Sequence, residues 1–285
     1  MATDKIRNIG RYIKYNLRKS RTRVRWRGFD FAKSPIVFGN AYAKSGSHLL
    51  VQVLQGMEQI APFWPLHGIP IRTITRDGRH RSDKEILGDL GNLRAGEIAW
   101  GYLNATHNIV DVLSQPNWAT YMIIRDPRDV LISHIFYATD IYTDHSLNET
   151  YKKLPDMAAR LMVEIKGTQE YPYLPNVDKR FRRKLGFLNN PHIHIVRFED
   201  LIHYPENTIN KMLNHLDRFE IQLSYDRNDA IELILKYIQP KKSPTFRRGI
   251  PGEWKEHFNS EHRHMFKELA GDILIEMDYE KSYDW

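Results

Sequence analysis

The residues with the plainest chemical use lie in the stretch GNAYAKSGSHLL, residues 39–50. Lys44, Ser45, Gly46, Ser47 and His48 set an ammonium group, two hydroxyls, an imidazole and a glycine side by side, directly after the apolar run PIVFG (35–39). That run reads as a buried strand, and Leu50, Val53, Leu54, Met57 and Ile60 recur as one face of a helix that starts near Ser47. A strand turning into a helix aims unpaired N–H groups at the turn, and such a helix start binds anions. Lys44 adds a point charge, the serines add donors, and Gly46 lets the backbone approach closely. In the common nucleoside-triphosphate loop the lysine directly follows a glycine. Here Lys44 precedes Gly46, so the anion held is expected to be of another kind.

Two more stretches carry similar chemistry. In YMIIRDPRDVLISHIF, Asp126 suits a helix N-cap, Pro127 the first helical position and Asp129 the first turn. Arg125 then sits at a strand's carboxyl end and Ser133 two turns into the helix, a pair able to bind a second phosphate. Asp126 also admits a kinase reading, as a magnesium-holding acid at the end of an apolar strand. In FRRGIPGEWKEHF, Arg247, Arg248 and Gly249 form a loop suited to clamping phosphate oxygens with guanidinium forks.

The elements that must position these groups follow an α/β pattern. Runs at 35–39, 97–101, 119–124 and 192–198 read as strands, several apolar on both faces as buried parallel strands are. Helical patterns lie between them, which predicts a central parallel β-sheet flanked by helices with ligands at the strands' carboxyl ends. After residue 141 the chain reads as mostly helical, over 151–165, 206–216, 226–238 and 259–275, with the long loop QPKKSPTFRRGIPGEW (239–254) between the last two. We expect a basic extension over residues 1–30 and one domain over 31–285.

The three motifs, taken with VRFEDL at the end of the fourth strand, resemble those of the cytosolic-type sulfotransferases, which use 3'-phosphoadenosine 5'-phosphosulfate (PAPS). AYAKSGSHL is similar to that family's YPKSGTTW loop, RDPRDVLIS to RNPKDVAVS, VRFEDL to YEDL, and FRRGIPGEWKEHF to RKGIVGDWKNHF, in the family's order over residues 35–258. The resemblance implies a sulfotransferase fold of the nucleoside-triphosphatase-like P-loop kind and in-line transfer of a sulfuryl group from PAPS, without a metal. It implies Lys44, Ser45, Gly46, Ser47 and His48 around the 5'-phosphate, and Arg125, Ser133, Arg247, Arg248 and Gly249 on the 3'-phosphate. Three positions depart from the family: Leu49 replaces its adenine-stacking tryptophan, Phe198 replaces the tyrosine of YEDL, and Tyr102 stands where its basic histidine is found. A tyrosine of ordinary pKa is protonated at neutral pH, so a helper is needed. His107, five residues on, is the favoured one beside Tyr102, with His67 and Glu97 as further candidates.

Composition bounds the rest. Across 285 residues, 42 Lys and Arg against 35 Asp and Glu give a formal charge of +7, which favours anionic partners. Cysteine is absent, which excludes disulfides, thiolate nucleophiles and cysteine-ligated zinc, and the histidines lack the spacing of a zinc site. No apolar run approaches the roughly 18 residues of a membrane span, so a cytoplasmic location is expected. The first 27 residues are strongly basic, with Ile6, Ile9, Ile13 and Leu17 at helical spacing. That segment fits either a solvated helix or one resting on an anionic membrane. The basic residues do not interleave with aromatics, so no nucleic-acid partner is expected. Lys255 and Phe258 keep part of the family's dimer motif, which leaves a homodimer open. The expected acceptor is a small molecule, lipid or saccharide. The competing readings are a P-loop small-molecule kinase and a non-catalytic binder of PAPS or its product PAP.

Overall fold

A computed structural model describes residues 15–75, 78–169 and 173–285. Its centre is a five-stranded sheet in the order β2-β3-β1-β4-β5, with every neighbouring pair parallel. The strands are β1 (Ile36–Ala41), β2 (Ile71–Arg72), β3 (Ile98–Tyr102), β4 (Trp118–Ile124) and β5 (Ile193–Arg197). Four of them coincide with the runs read from sequence. The fifth, β2, is a two-residue edge strand too short to leave a periodic signal.

Helices follow the strands on both sides, as parallel connections require. α1 covers residues 15–25, α2 Ser47–Ile60, α3 Asp83–Gly91, α4 His107–Leu113 and α5 Pro127–Phe136. α6 (Asn148–Lys152) and α7 (Met157–Lys166) occupy the stretch expected as one helix. Pro155 lies between them, and its missing N–H and fixed ring break the run. α8 (Val177–Arg182), α9 (Phe198–His203), α10 (Pro205–Asp217), α11 (Arg227–Tyr237) and α12 (Ser260–Glu276) complete the chain.

Strand side chains alternate between two cores, one on each face of the sheet. Phe38, Trp118 and Met122 pack with Leu131, Ile135 and Phe266 on one face, whereas Val37, Tyr121 and Ile123 pack with Val53, Leu54 and Met212 on the other. Burying one such side chain contributes about 1.5–3 kcal/mol, so the two layers hold the central strands from both sides. At the carboxyl end, Asn40 stitches β1 to the segment after β3: its Oδ1 accepts from the Leu103 N–H at 2.8 Å and its Nδ2 donates to the Leu103 carbonyl at 3.3 Å. That stitch fixes the spacing of the two loops that carry Lys44 and Tyr102.

The described part of the basic segment begins with α1, and several of its cations pack against the domain. Arg18 pairs with the buried Glu58 at 2.5 Å, Lys19 lies 3.7 Å from Glu97 and 4.7 Å above the Trp64 ring. Ile6, Ile9 and Ile13 lie outside the described residues. Among the described residues, no helix is long and apolar enough to cross a membrane.

Candidate active site

One cavity of about 620 Å³ opens at the carboxyl ends of β1, β3 and β4. Its lining brings together the three motifs read from sequence: Lys44, Gly46, Ser47 and His48 from the first, Arg125 and Ser133 from the second, and Arg247, Arg248 and Gly249 from the third.

The first loop is shaped by two left-handed residues, Lys44 at φ 68° and Gly46 at φ 94°. At Gly46 a side chain is excluded twice over, by this backbone conformation and by Phe198, whose Cδ2 would stand 2.6 Å from a Cβ. Gly46 thereby caps α2: its carbonyl accepts from the N–H groups of Leu49 (2.9 Å) and Leu50 (3.1 Å), which leaves the N–H groups of Ser47 and His48 without an acceptor within the helix. The Lys44 Nζ sits 3.9 Å above the Tyr137 ring. Burial, together with the Arg125 and Arg247 guanidiniums, lowers its pKa from 10.5 to about 8. His48 is held below its ordinary pKa by burial and by Lys44, so it is neutral at pH 7. Ser45 departs from expectation. Its buried hydroxyl donates to the carbonyls of Tyr42 (2.9 Å) and Ile123 (3.2 Å), so it locks the loop to β4 and has no proton left for a ligand.

Arg125 lies at the end of β4, buried, with its guanidinium 4.5 Å above the ring of Phe198. One terminal nitrogen donates to the Ile250 carbonyl at 3.2 Å and stands 3.5 Å from Asp129, while its Nε has no partner among the described residues. A buried donor without an acceptor costs about 1–3 kcal/mol, which an anion in the cavity would relieve. Asp129 ties the third motif to the second by accepting from the N–H groups of Gly252 (2.7 Å) and Trp254 (2.8 Å). Arg247 stacks 3.9 Å over Phe136 and pairs with Glu253, and Arg248 reaches Glu253 at 2.9 Å and Glu256 at 3.1 Å. Burial alone would raise the Glu253 pKa, yet the two guanidiniums and His257 outweigh it and keep the carboxylate ionised.

Asp126, the acid that a kinase would need for magnesium, caps α5 and is engaged by Arg128 through Nε at 3.0 Å and a terminal nitrogen at 2.8 Å. Its carboxylate is thus spent on a buried ion pair inside the fold.

The proton-transfer candidates separate sharply. Tyr102 lines the cavity and its hydroxyl is 2.8 Å from the Ser47 Oγ, but burial raises its pKa above 10 and keeps it protonated. His107 does not reach the cavity: it is the first residue of α4, its ring is 89% exposed, and it meets Asp111 at 3.2 Å. At a helix start the backbone direction, set by packing of the whole helix, decides where the ring points, and here it points to solvent. His67 is also corrected. It packs on Tyr15 and lies 3.5 Å from Glu97, which precedes β3 at the sheet's amino end. Neither lines the cavity.

Two imidazoles line it, that of His48 in the first loop and that of His134, the residue after Ser133. The His134 Nδ1 is 2.5 Å from Oε1 of Glu164, a fully buried carboxylate on α7. Glu164 also accepts from Arg180 at 2.7 Å and from the Tyr151 hydroxyl. Burial would raise its pKa, but His134 and Arg180 pull it down to about 2. Against an ionised carboxylate the ring keeps its proton on Nδ1, which leaves Nε2 as the basic nitrogen. A wide π-type turn, Tyr137–Ile141, follows α5 and carries Tyr137 to Lys44. His145 packs 5.1 Å from the His134 ring and, with a pKa lowered by burial to about 4, stays neutral. In the sequence His134 counts as one more residue on an apolar helix face. The available hint was Glu164 on the apolar face of its own helix.

A parallel sheet with an anion-binding strand-to-helix loop after β1 defines a P-loop-like fold. The chain belongs to the sulfotransferase-domain family, whose profile it matches over residues 37–278. Among solved structures it is similar to mouse sulfotransferase SULT7A1 complexed with PAP, at 16% identity over 88% of each chain with a TM-score of 0.57. It is also similar to retinol dehydratase, in a complex with androsterone and the inactive cofactor PAP (14% identity, 84% of this chain and 80% of that one, TM-score 0.54) and in one with retinol and PAP (14%, 85% and 82%, 0.55). No curated protein sequence matches the chain significantly. At these identities the structures speak to the fold, and it is the sulfotransferase fold.

Proposed function

We propose that the protein is a PAPS-dependent sulfotransferase that transfers a sulfuryl group to an acceptor hydroxyl. The observation that carries this reading is the convergence of Lys44, the α2 N-terminus, Arg125, Ser133, Arg247 and Arg248 on one cavity, with a buried Arg125 Nε still seeking an acceptor. The cavity's cations match a nucleotide with two separated anionic groups. Lys44 and the α2 amides would hold the 5'-phosphosulfate, and Arg125, Ser133, Arg247 and Arg248 the 3'-phosphate. PAPS supplies an activated sulfur–oxygen bond; the acceptor oxygen bonds to sulfur as the bond to the 5'-phosphate oxygen breaks. Lys44 and the amides stabilise the charge that builds on that leaving oxygen. His134 Nε2 takes the acceptor's proton, held in orientation by Glu164. Tyr102, protonated and bonded to Ser47, fits a donor to the transferring group better than a base.

A kinase is disfavoured by the saturation of Asp126 and the misplaced lysine. The test is a pair of measurements: calorimetric titration with PAP, and turnover of labelled PAPS against a panel of phenols, sterols and saccharides. Binding with a Kd in the micromolar range or below and labelled product are expected. Absence of binding overturns the proposal, whereas binding without transfer to any acceptor would leave a non-catalytic PAP binder.

A further inference from the structure

Beyond the nucleotide's end the cavity continues beneath α8 to the carboxyl ends of β1 and β3, and this part is also basic. Lys184 is buried, with its Nζ donating to the carbonyls of Ala41 (3.2 Å) and Leu103 (2.8 Å). Arg183 is half-buried, lines the cavity and spends its Nε on the Lys179 carbonyl at 2.9 Å, while its two terminal nitrogens make no hydrogen bond among the described residues. Arg72 lines the same cavity, its guanidinium 5.8 Å from the Tyr102 ring. Among the described residues no carboxylate forms an ion pair with any of these three, whereas the neighbouring Arg180 is neutralised by Glu164. Among the described residues the one acid that lines the cavity is Glu253, which pairs with Arg247 and Arg248.

The charges at the two ends can be compared. PAPS carries anionic groups for Lys44, Arg125, Arg247 and Arg248. Arg72, Arg183 and Lys184 gain nothing from it, and a neutral acceptor would strip water from the two arginines and return no charge to any of the three. Burial already lowers the pKa of Arg183, and it lowers that of Lys184 to about 7. We propose, on the basis of the sulfotransferase reading above, that the acceptor is an anion: a hydroxyl-bearing molecule with a carboxylate or ester sulfate that Arg183, Lys184 and Arg72 receive. Arg183 is the specificity-determining contact, because it lines the cavity and its planar fork, free of any carboxylate among the described residues, can grip two oxygens at once. The apolar part of the same lining, Phe181, Leu174 and Ile74, would cover the body of the acceptor between its charged group and its hydroxyl.

The test uses the PAP-saturated full-length protein and three matched probes: 4-nitrophenyl glucuronide, its methyl ester and 4-nitrophenyl glucoside. We expect calorimetric affinity about ten- to hundredfold higher for the glucuronide than for either neutral probe, falling with salt. Arg183→Gln should bring the three within about threefold while leaving PAP affinity unchanged. Because Lys184 is buried and its loss could unfold the chain, Lys184→Arg serves as the second variant, retaining the preference that Arg183→Gln removes. Equal affinity for all three probes in the unaltered protein, or a preference that survives Arg183→Gln, overturns the proposal. A 4-nitrophenyl galactoside 6-sulfate arm separates ester sulfate from carboxylate as the favoured anion. Loss of PAP binding itself would refute the sulfotransferase reading instead.

Discussion

Lys44 permits a prediction whose size follows from its surroundings. Its pKa of about 8 in the empty cavity, against an ordinary 10.5, reflects burial plus repulsion from Arg125 and Arg247. Nucleotide phosphates placed beside it would restore the charged form, so binding must take up a proton wherever Lys44 has lost one. About nine-tenths of the protein is protonated at this site at pH 7, about half at pH 8 and about a tenth at pH 9, so the Kd for PAP should rise about tenfold from pH 7 to 9, roughly 1.4 kcal/mol. Less than about twofold of that rise falls below pH 8. A lysine of ordinary pKa would give a flat profile over this range. The phosphates do not contribute, since their second pKa is about 6. Nor do the groups around Lys44: burial raises Tyr137 and Tyr102 and lowers His48 and His145. Lys184 donates to the Ala41 and Leu103 carbonyls and gains nothing from the nucleotide, so binding leaves its protonation unchanged and it adds little to the slope. Calorimetry in two buffers of different ionisation enthalpy reads the proton count directly, about half a proton at pH 8. In Lys44→Met the profile should flatten and the affinity at pH 7 should fall. A flat profile in the unaltered protein, or an equal slope in Lys44→Met, refutes the account. The same shift acts on folding with a defined sign: the unfolded chain keeps this proton up to about 10.5, so the Lys44 contribution makes the nucleotide-free protein more stable as pH rises from about 8 to 10.5.

Other outcomes follow from the same geometry. His134→Gln should lower kcat by about 10²–10⁴ with PAP affinity intact, and Glu164→Gln by a smaller factor, whereas His107→Ala should leave turnover within about twofold, all read by labelled-PAPS assay. Arg248→Ala should raise the PAP Kd about tenfold and reduce its salt dependence; the partly exposed Arg248 is preferred to Arg247 because removing the latter strips a buried Glu253 of its closest cation. Gly46→Ala should destabilise the fold by about 1–3 kcal/mol in a urea titration, since φ 94° and the Phe198 ring both oppose a Cβ.

What the sequence disclosed and what it hid divide along a physical line. β1, β3 and β4 are buried on both faces and β5 is rich in Ile and Val, so composition marks them, and the Gly, Lys, Ser, Asp-Pro and Arg-Arg-Gly signals sit at loop positions where local chemistry dictates local shape. Hidden were the facts that depend on direction. Ser45 and Ser47 are alike in the sequence, yet the loop turns one hydroxyl inward to the Tyr42 and Ile123 carbonyls and the other outward to Tyr102. His107 and His134 are both helix histidines, and only the tertiary packing of their helices sends one ring to solvent and the other to the cavity. The partnership of His134 with Glu164 spans 30 residues and two helices, beyond any local window. A buried carboxylate costs several kcal/mol unless fully engaged, and hydrophobic residues of similar size would often stabilise a core as well. Glu164 instead gathers three donors at once, His134, Tyr151 and Arg180, and two of these side chains, His134 and Arg180, line the cavity. The arrangement therefore makes more sense as a device that fixes an imidazole's tautomer and aim than as a support for the fold, and in the proposed reaction it would supply the base that Tyr102 does not.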